Sequence, residues 1–184
     1  MKKIYFILTY SGTVLGRIIR FKTKRFYTHV SISLDENLEK MYSFGRINPY
    51  NCFVGGFVHE RQNLGFFKRF KNTKAMICYI QITDYQYEKL EQQIKLFEEN
   101  KAKYKFNTLG LIYIFLNKKI HRNNYFYCAE FIKHILEKSN ININLPDMPK
   151  PENFEKLKNS KIIYTGIFNN YRYQELGQKV TTYF

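Results

Sequence analysis

The sequence predicts an α+β fold, and three patterns carry that prediction. From Tyr27 to Leu34 the residues alternate: Val30, Ile32 and Leu34 fall on one side, His29, Ser31 and Ser33 on the other. That period of two marks a strand with one buried and one more polar face. Thr83-Asp84-Tyr85-Gln86 matches a capping box, and Tyr87, Leu90, Ile94 and Phe97 follow at helical spacing. Finally, Tyr125-Phe126-Tyr127-Cys128 leads into a second amphipathic helix, Ala129 to Lys138. Cys128, Ile132, Ile135 and Leu136 share a face of it, and Ser139-Asn140 ends it.

The remaining elements follow in chain order. Ile4 to Thr9 reads as a first core strand closed by Ser11-Gly12, and Thr13 can cap a brief helix through Val14, Leu15, Ile18 and Ile19. Asp35-Glu36-Asn37 turns the chain into a return strand, Lys40 to Phe44. Cys52 to Val58 reads as a strand bent at Gly55-Gly56, and Ala75 to Ile82 as a run of strong β formers. Leu109 to Leu116 is the longest apolar run and reads as a buried helix or strand. Pro146, Pro149 and Pro151 predict an extended connection, and Ile162 to Phe168 a late strand broken by Gly166. No repeat or linker divides the chain, so residues 1–184 are read as a single domain.

Composition removes several classes. The chain is 45% hydrophobic with 16 Tyr and 17 Phe, which is core material rather than the makeup of a disordered or collagen-like chain. No apolar run approaches the ~18–20 residues of a membrane-spanning helix. Met1-Lys2-Lys3 before Ile4 to Leu8 hints at a signal peptide, but Thr9, Tyr10 and Ser11 interrupt the apolar stretch and no small-residue cleavage site follows. The expected compartment is therefore the cytoplasm, with export or a membrane-surface location as the alternative.

The net charge is +15, which could attract nucleic acid or anionic headgroups. The basic residues are scattered, and the densest cluster, Arg17 to Arg25, is punctuated by Ile18, Ile19 and Phe21. Lys, Asn, Ile, Tyr and Phe are abundant together, as an AT-rich coding bias would produce. With no nucleic-acid-binding signature beside the charge, a nucleic-acid partner is not expected. Cys52, Cys78 and Cys128 lie far apart, and no histidine is spaced with them, so neither a disulfide framework, a metal nor a cofactor is expected.

Cys128 stands out because it meets the first turn of a helix, where unpaired N–H groups and the positive dipole end favour a thiolate. Its rival reading is an inert buried thiol. His29 begins the alternating strand on its polar side, and an imidazole there can be presented to a helix N-terminus packed across the sheet. His59, His121 and His134 lack such a position, and Glu130, about 200° round the helix from Cys128, reads as structural. Ser43-Phe44-Gly45-Arg46 and Gly55-Gly56 could line a groove.

Tyr27-Thr28-His29-Val30-Ser31-Ile32, Tyr125 to Phe131, and Pro149 to Phe154 running on to Tyr164-Thr165-Gly166 resemble the circularly permuted papain-like enzymes of the NlpC superfamily, the YiiX/YaeF-like group. The histidine strand precedes the cysteine, as permutation produces. The resemblance implies a small antiparallel sheet packed on a Cys-bearing helix, with Cys128 as nucleophile and His29 as base. It also implies a third polar group on the strand after the histidine, where Ser43 is the match, Tyr42 the next, and no acid stands. Tyr125 matches a tyrosine on the oxyanion side. The expected activity is a thiol hydrolase or acyltransferase. It would cleave an amide or ester of a peptide, a peptidoglycan-derived or a lipid-acyl substrate through a Cys128 thioester. A non-catalytic lipid- or peptide-binding module on the same scaffold is the rival, and oligomeric state is left open.

Overall fold

The computed structural model describes residues 1–51, 54–107 and 122–173. Its centre is β1 (Lys2–Tyr10), which is buried without a break from Ile4 to Thr9. Such a run suits a strand covered on both faces. It pairs antiparallel with β2 (His29–Ser33) on one side and β5 (Lys74–Ile82) on the other. Then β3 (Met41–Arg46) and β4 (Gly55–Glu60) extend the sheet beyond β2, and β8 (Lys161–Ile167) extends it beyond β5. The result is one six-stranded antiparallel sheet ordered β4-β3-β2-β1-β5-β8. A separate two-residue parallel pair joins β6 (Lys105–Phe106) to β7 (Tyr125–Phe126). With several helices, this makes a mixed α+β architecture.

Two of the helices begin at side-chain caps. In α1 (Val14–Thr23), Thr13 accepts the Gly16 N–H at 3.2 Å. In α3 (Asp84–Glu99), Thr83 and Gln86 form the full reciprocal capping box. A short helix, α2 (Gly65–Arg69), precedes β5, and α4 (Cys128–Lys138) follows β7. Pro151 opens a 3-10 turn over Pro151–Phe154, its missing N–H being no loss at a helix start.

Helices α3 and α4 cover one face of the sheet, and Phe44 is the hinge of that layer. Its ring is fully buried and lies 5.2 to 6.2 Å from those of Phe57, Phe97, Phe126 and Phe131. The opposite face corrects one sequence expectation. Ser31 and Ser33 are 0% exposed, because a second apolar cluster of Tyr5, Ile7, Met41, Phe67, Ile77 and Phe168 covers that side. The face is polar in composition near His29 but not wet.

Two glycines fix close approaches. Gly166 does not break its strand: it pairs with Ala75, and the Tyr164 hydroxyl passes 2.7 Å from where a Cβ would stand to reach the Ile167 carbonyl. At Gly55 a Cβ would meet Phe106 Cγ at 2.8 Å and the Gly45 carbonyl oxygen at 2.9 Å. Gly55→Ala is expected to cost about 1–3 kcal/mol of overpacking, read as a lower denaturant midpoint; an unchanged midpoint would show that Phe106 moves aside at no cost. Cys52, Phe53 and the Leu109 to Leu116 run lie outside the described residues.

Candidate active site

The antiparallel order brings several connections to one end of the sheet: the end of β1, the start of β2, the end of β3 and the start of β4. A cavity opens there. Cys128 and His29 both line it, together with Phe44, Gly45, Arg46 and Gly55 from the two segments read as a groove. Hydroxyls of Thr9, Ser11, Thr13 and Thr28 add polar lining, and Phe66 and Phe106 add aromatic lining.

His29 is the first residue of β2, and its side chain is 24% exposed. Its Nε2 lies 3.2 Å from Glu60 Oε1 and 3.3 Å from Ser31 Oγ, while Ser31 also donates to Glu60 Oε2. Glu60 closes β4 two strands away, with only 10% of its side chain exposed. Strand register puts Ser33, Met41 and Glu60 in line, so Glu60 shares the face of His29 and Ser31. Gly45 of β3 lies beside that carboxylate: a Cβ there would sit 3.4 Å from Glu60 Oε1, an ordinary contact, and 3.3 Å from Ser43 Oγ.

Electrostatics follow from this packing. Burial by itself lowers the His29 pKa. The Glu60 carboxylate outweighs that, joined by a hydrogen bond and charge interaction with Cys128, and the imidazole is raised to about 10. Burial pushes Glu60 upward, but the His29 charge and hydrogen bonds from His29 and Ser31, with the Ser43 hydroxyl nearby, hold it below its ordinary value. At neutral pH the pair is imidazolium and carboxylate.

Cys128 starts α4 and is 6% exposed. Tyr127 precedes it in extended conformation and makes no side-chain cap, so the first-turn N–H groups depend on other partners. Phe131 and Ile132, one turn on, are fully buried against the sheet and fix the helix that carries the sulfur. Cys78, by contrast, lies in β5 with its thiol pushed up to about 12 by burial. It donates a long contact to the Phe154 carbonyl, well away from His29.

The other anticipated residues fall as follows. Ser43 is fully buried and its Oγ has no hydrogen-bond partner of ordinary geometry; it faces Glu60, which it helps keep ionised, rather than the His29 ring. Tyr42 stacks on His59, 4.8 Å between centroids, and the His59 Nε2 bonds the Glu39 carbonyl. Tyr125 is half-buried in β7 beneath the Arg122 guanidinium, 3.6 Å from its ring centroid, and does not line the cavity. Glu130 accepts a 3.5 Å hydrogen bond from Asn107. His134 packs against Phe97 and Phe126, and His121 lies outside the described residues.

Glu60 is the residue that sequence reasoning missed. The signal was available only indirectly: an acid ending the strand that follows the return strand of the histidine hairpin. Among the described residues no group of three or more His, Cys, Asp or Glu could hold a metal ion, and no helix is long and apolar enough to cross a membrane. Compared with known proteins, the chain matches no family model and no curated protein.

Proposed function

We propose that this chain is a thiol hydrolase or acyltransferase built on a circularly permuted papain-like framework. One observation carries the reading: a cysteine at a helix start and a histidine held by a buried carboxylate interact within one cavity. An imidazolium beside a cysteine is the partner that a thiolate nucleophile requires. Glu60, assisted by Ser31, serves as the orienting acid, and Ser43 supports that acid from behind.

In this mechanism the Cys128 sulfur attacks the carbonyl carbon of an amide or ester. Negative charge gathers on the carbonyl oxygen, for which the Cys128 backbone N–H is a donor. The His29 imidazolium then gives its proton to the departing amine or alcohol as the C–N or C–O bond breaks, leaving a thioester. Water or an acceptor amine or alcohol, deprotonated by the now neutral His29, attacks the thioester and restores the sulfur. Glu60 stays ionised throughout and stabilises the imidazolium at both ends of the cycle. Phe44, Phe66 and Phe106 suit an acyl chain or apolar side chain, and Arg46 suits a carboxylate or phosphate on the substrate.

Chloroacetamide alkylation of Cys128, followed by peptide mass mapping, tests the reading. The wild-type sulfur is expected to react about tenfold or more faster than free cysteine at pH 6–7, and His29→Ala to abolish that advantage. A wild-type rate no greater than that of free cysteine, or one indifferent to His29→Ala, favours the non-catalytic binding module instead.

A further inference from the structure

The helix between β1 and β2 carries three exposed apolar side chains. Val14, Ile18 and Phe21 are 76%, 50% and 80% exposed. At about 100° per residue they form a stripe about 60° wide. That stripe lies directly opposite Gly16, which faces the cavity. Arg17 and Lys22 flank the stripe, one on each side, and Lys24 follows at the left-handed C-cap. A second set of exposed apolar side chains, Ile47, Tyr50 and Val54, belongs to the connection between β3 and β4. Arg69 lies over the Tyr50 ring at 4.0 Å.

Both connections leave the sheet at the end where the cavity opens. Single exposed apolar residues are ordinary, whereas a helical stripe joined by a second apolar loop around one opening is a patch. Basic residues predominate there, the acid at hand being Glu152, which pairs with Arg25 beyond the helix. The first acidic residue of the chain is Asp35, and none occurs from Ile47 to His59, so neither connection carries an acid. Apolar side chains projecting past a ring of Lys and Arg fit the boundary of an anionic bilayer, the apolar groups entering among the acyl chains and the cations meeting the headgroups.

We propose that α1 and the β3–β4 connection form a docking face for anionic membrane surfaces, seating the cavity mouth against the bilayer. This stands apart from the chemistry at Cys128. Binding is read without turnover, and Cys128 alkylation in solution reports the site independently.

The test is co-sedimentation with phosphatidylcholine vesicles containing phosphatidylglycerol, against pure phosphatidylcholine vesicles. Binding to the first and not the second is expected, falling as salt rises. Arg17→Gln with Lys22→Gln is expected to weaken it about 30-fold, at about fivefold per basic residue. Ile18→Ser with Phe21→Ser keeps every charge and is expected to weaken it tenfold or more, with thermal unfolding and Cys128 alkylation unchanged. Should the double serine variant fold poorly, Phe21→Ser alone carries the same expectation. Equal binding to both vesicles, binding to neither, or wild-type binding by the serine variants overturns the proposal. Single-stranded RNA binding that depends on Arg17 and Lys22 while anionic vesicles are ignored also overturns it, and assigns the face to nucleic acid.

Discussion

Glu60→Gln is expected to lower the Cys128 alkylation rate at pH 6 by about tenfold to a hundredfold, the scale of removing an opposite charge at hydrogen-bond distance. Glutamine keeps the shape and can still bond Ser31, so the loss isolates charge from packing. In the wild type, burial disfavours the imidazolium and Glu60 overrides it, holding His29 protonated to about 10. Without the carboxylate, burial dominates and the ring becomes neutral near physiological pH. Alkylation by the variant should then climb only as pH approaches the ordinary thiol range near 8.5. A pH profile indistinguishable from wild type would remove Glu60 from the proposed mechanism, whatever its effect on stability.

The same variant carries a stability signature with a defined window. His29 has a raised pKa, so its contribution is complete below 6.5 and declines as pH rises toward about 10. Glu60 has a lowered pKa, so its contribution is complete above 4.5 and declines as pH falls through its folded value. The wild-type advantage in urea unfolding should therefore peak between about 4.5 and 6.5, at roughly 3–5 kcal/mol for a buried pair losing one partner. An advantage that is flat with pH would mean that glutamine disturbs packing rather than charge.

Phe44→Ala is expected to cost about 3–5 kcal/mol, since truncating a fully buried phenylalanine adds a cavity to the lost transfer energy. That is a large part of the 5–15 kcal/mol typical of a domain. Phe44 also lines the cavity and packs against Phe131 of α4 at 5.2 Å between centroids. Its loss should loosen the helix that positions Cys128 as well as lower the urea midpoint. Phe44→Leu, which fills most of the space, should cost about 1–2 kcal/mol. A cost under 1 kcal/mol for the alanine variant would show that Phe57, Phe97 and Phe126 close the gap, and that the sheet–helix layer does not depend on this ring.

Legibility in the sequence followed the range of each interaction. The strand at His29, the capping box at Thr83 and the helix from Cys128 are local patterns, and each element formed where its pattern stood. Most strands lie within a residue or two of their reading, as at Arg46 and Ile167, whereas the strand read from Cys52 begins at Gly55. The second apolar cover over Ser31 and Ser33 was not legible, because it comes from Phe67 and Phe168, remote in the chain. Glu60 escaped for the same reason. The sequence points to the strand after the histidine, where Ser43 and then Tyr42 are the matches and no acid stands; Glu60 lies one strand further on. What brings Glu60 to His29 is the placement of β3 between β2 and β4, which no local pattern in the sequence announces.

The strand order also bears on synthesis. A nascent polypeptide halted after Ile82 already includes the imidazole, the carboxylate and five of the sheet's six strands. Cys128 leaves the ribosome some forty-six residues later, and the side chains that cover both faces of the sheet, Phe97, Phe131 and Phe168 among them, also follow Ile82. Any nucleophilic reactivity would then be switched on late in translation.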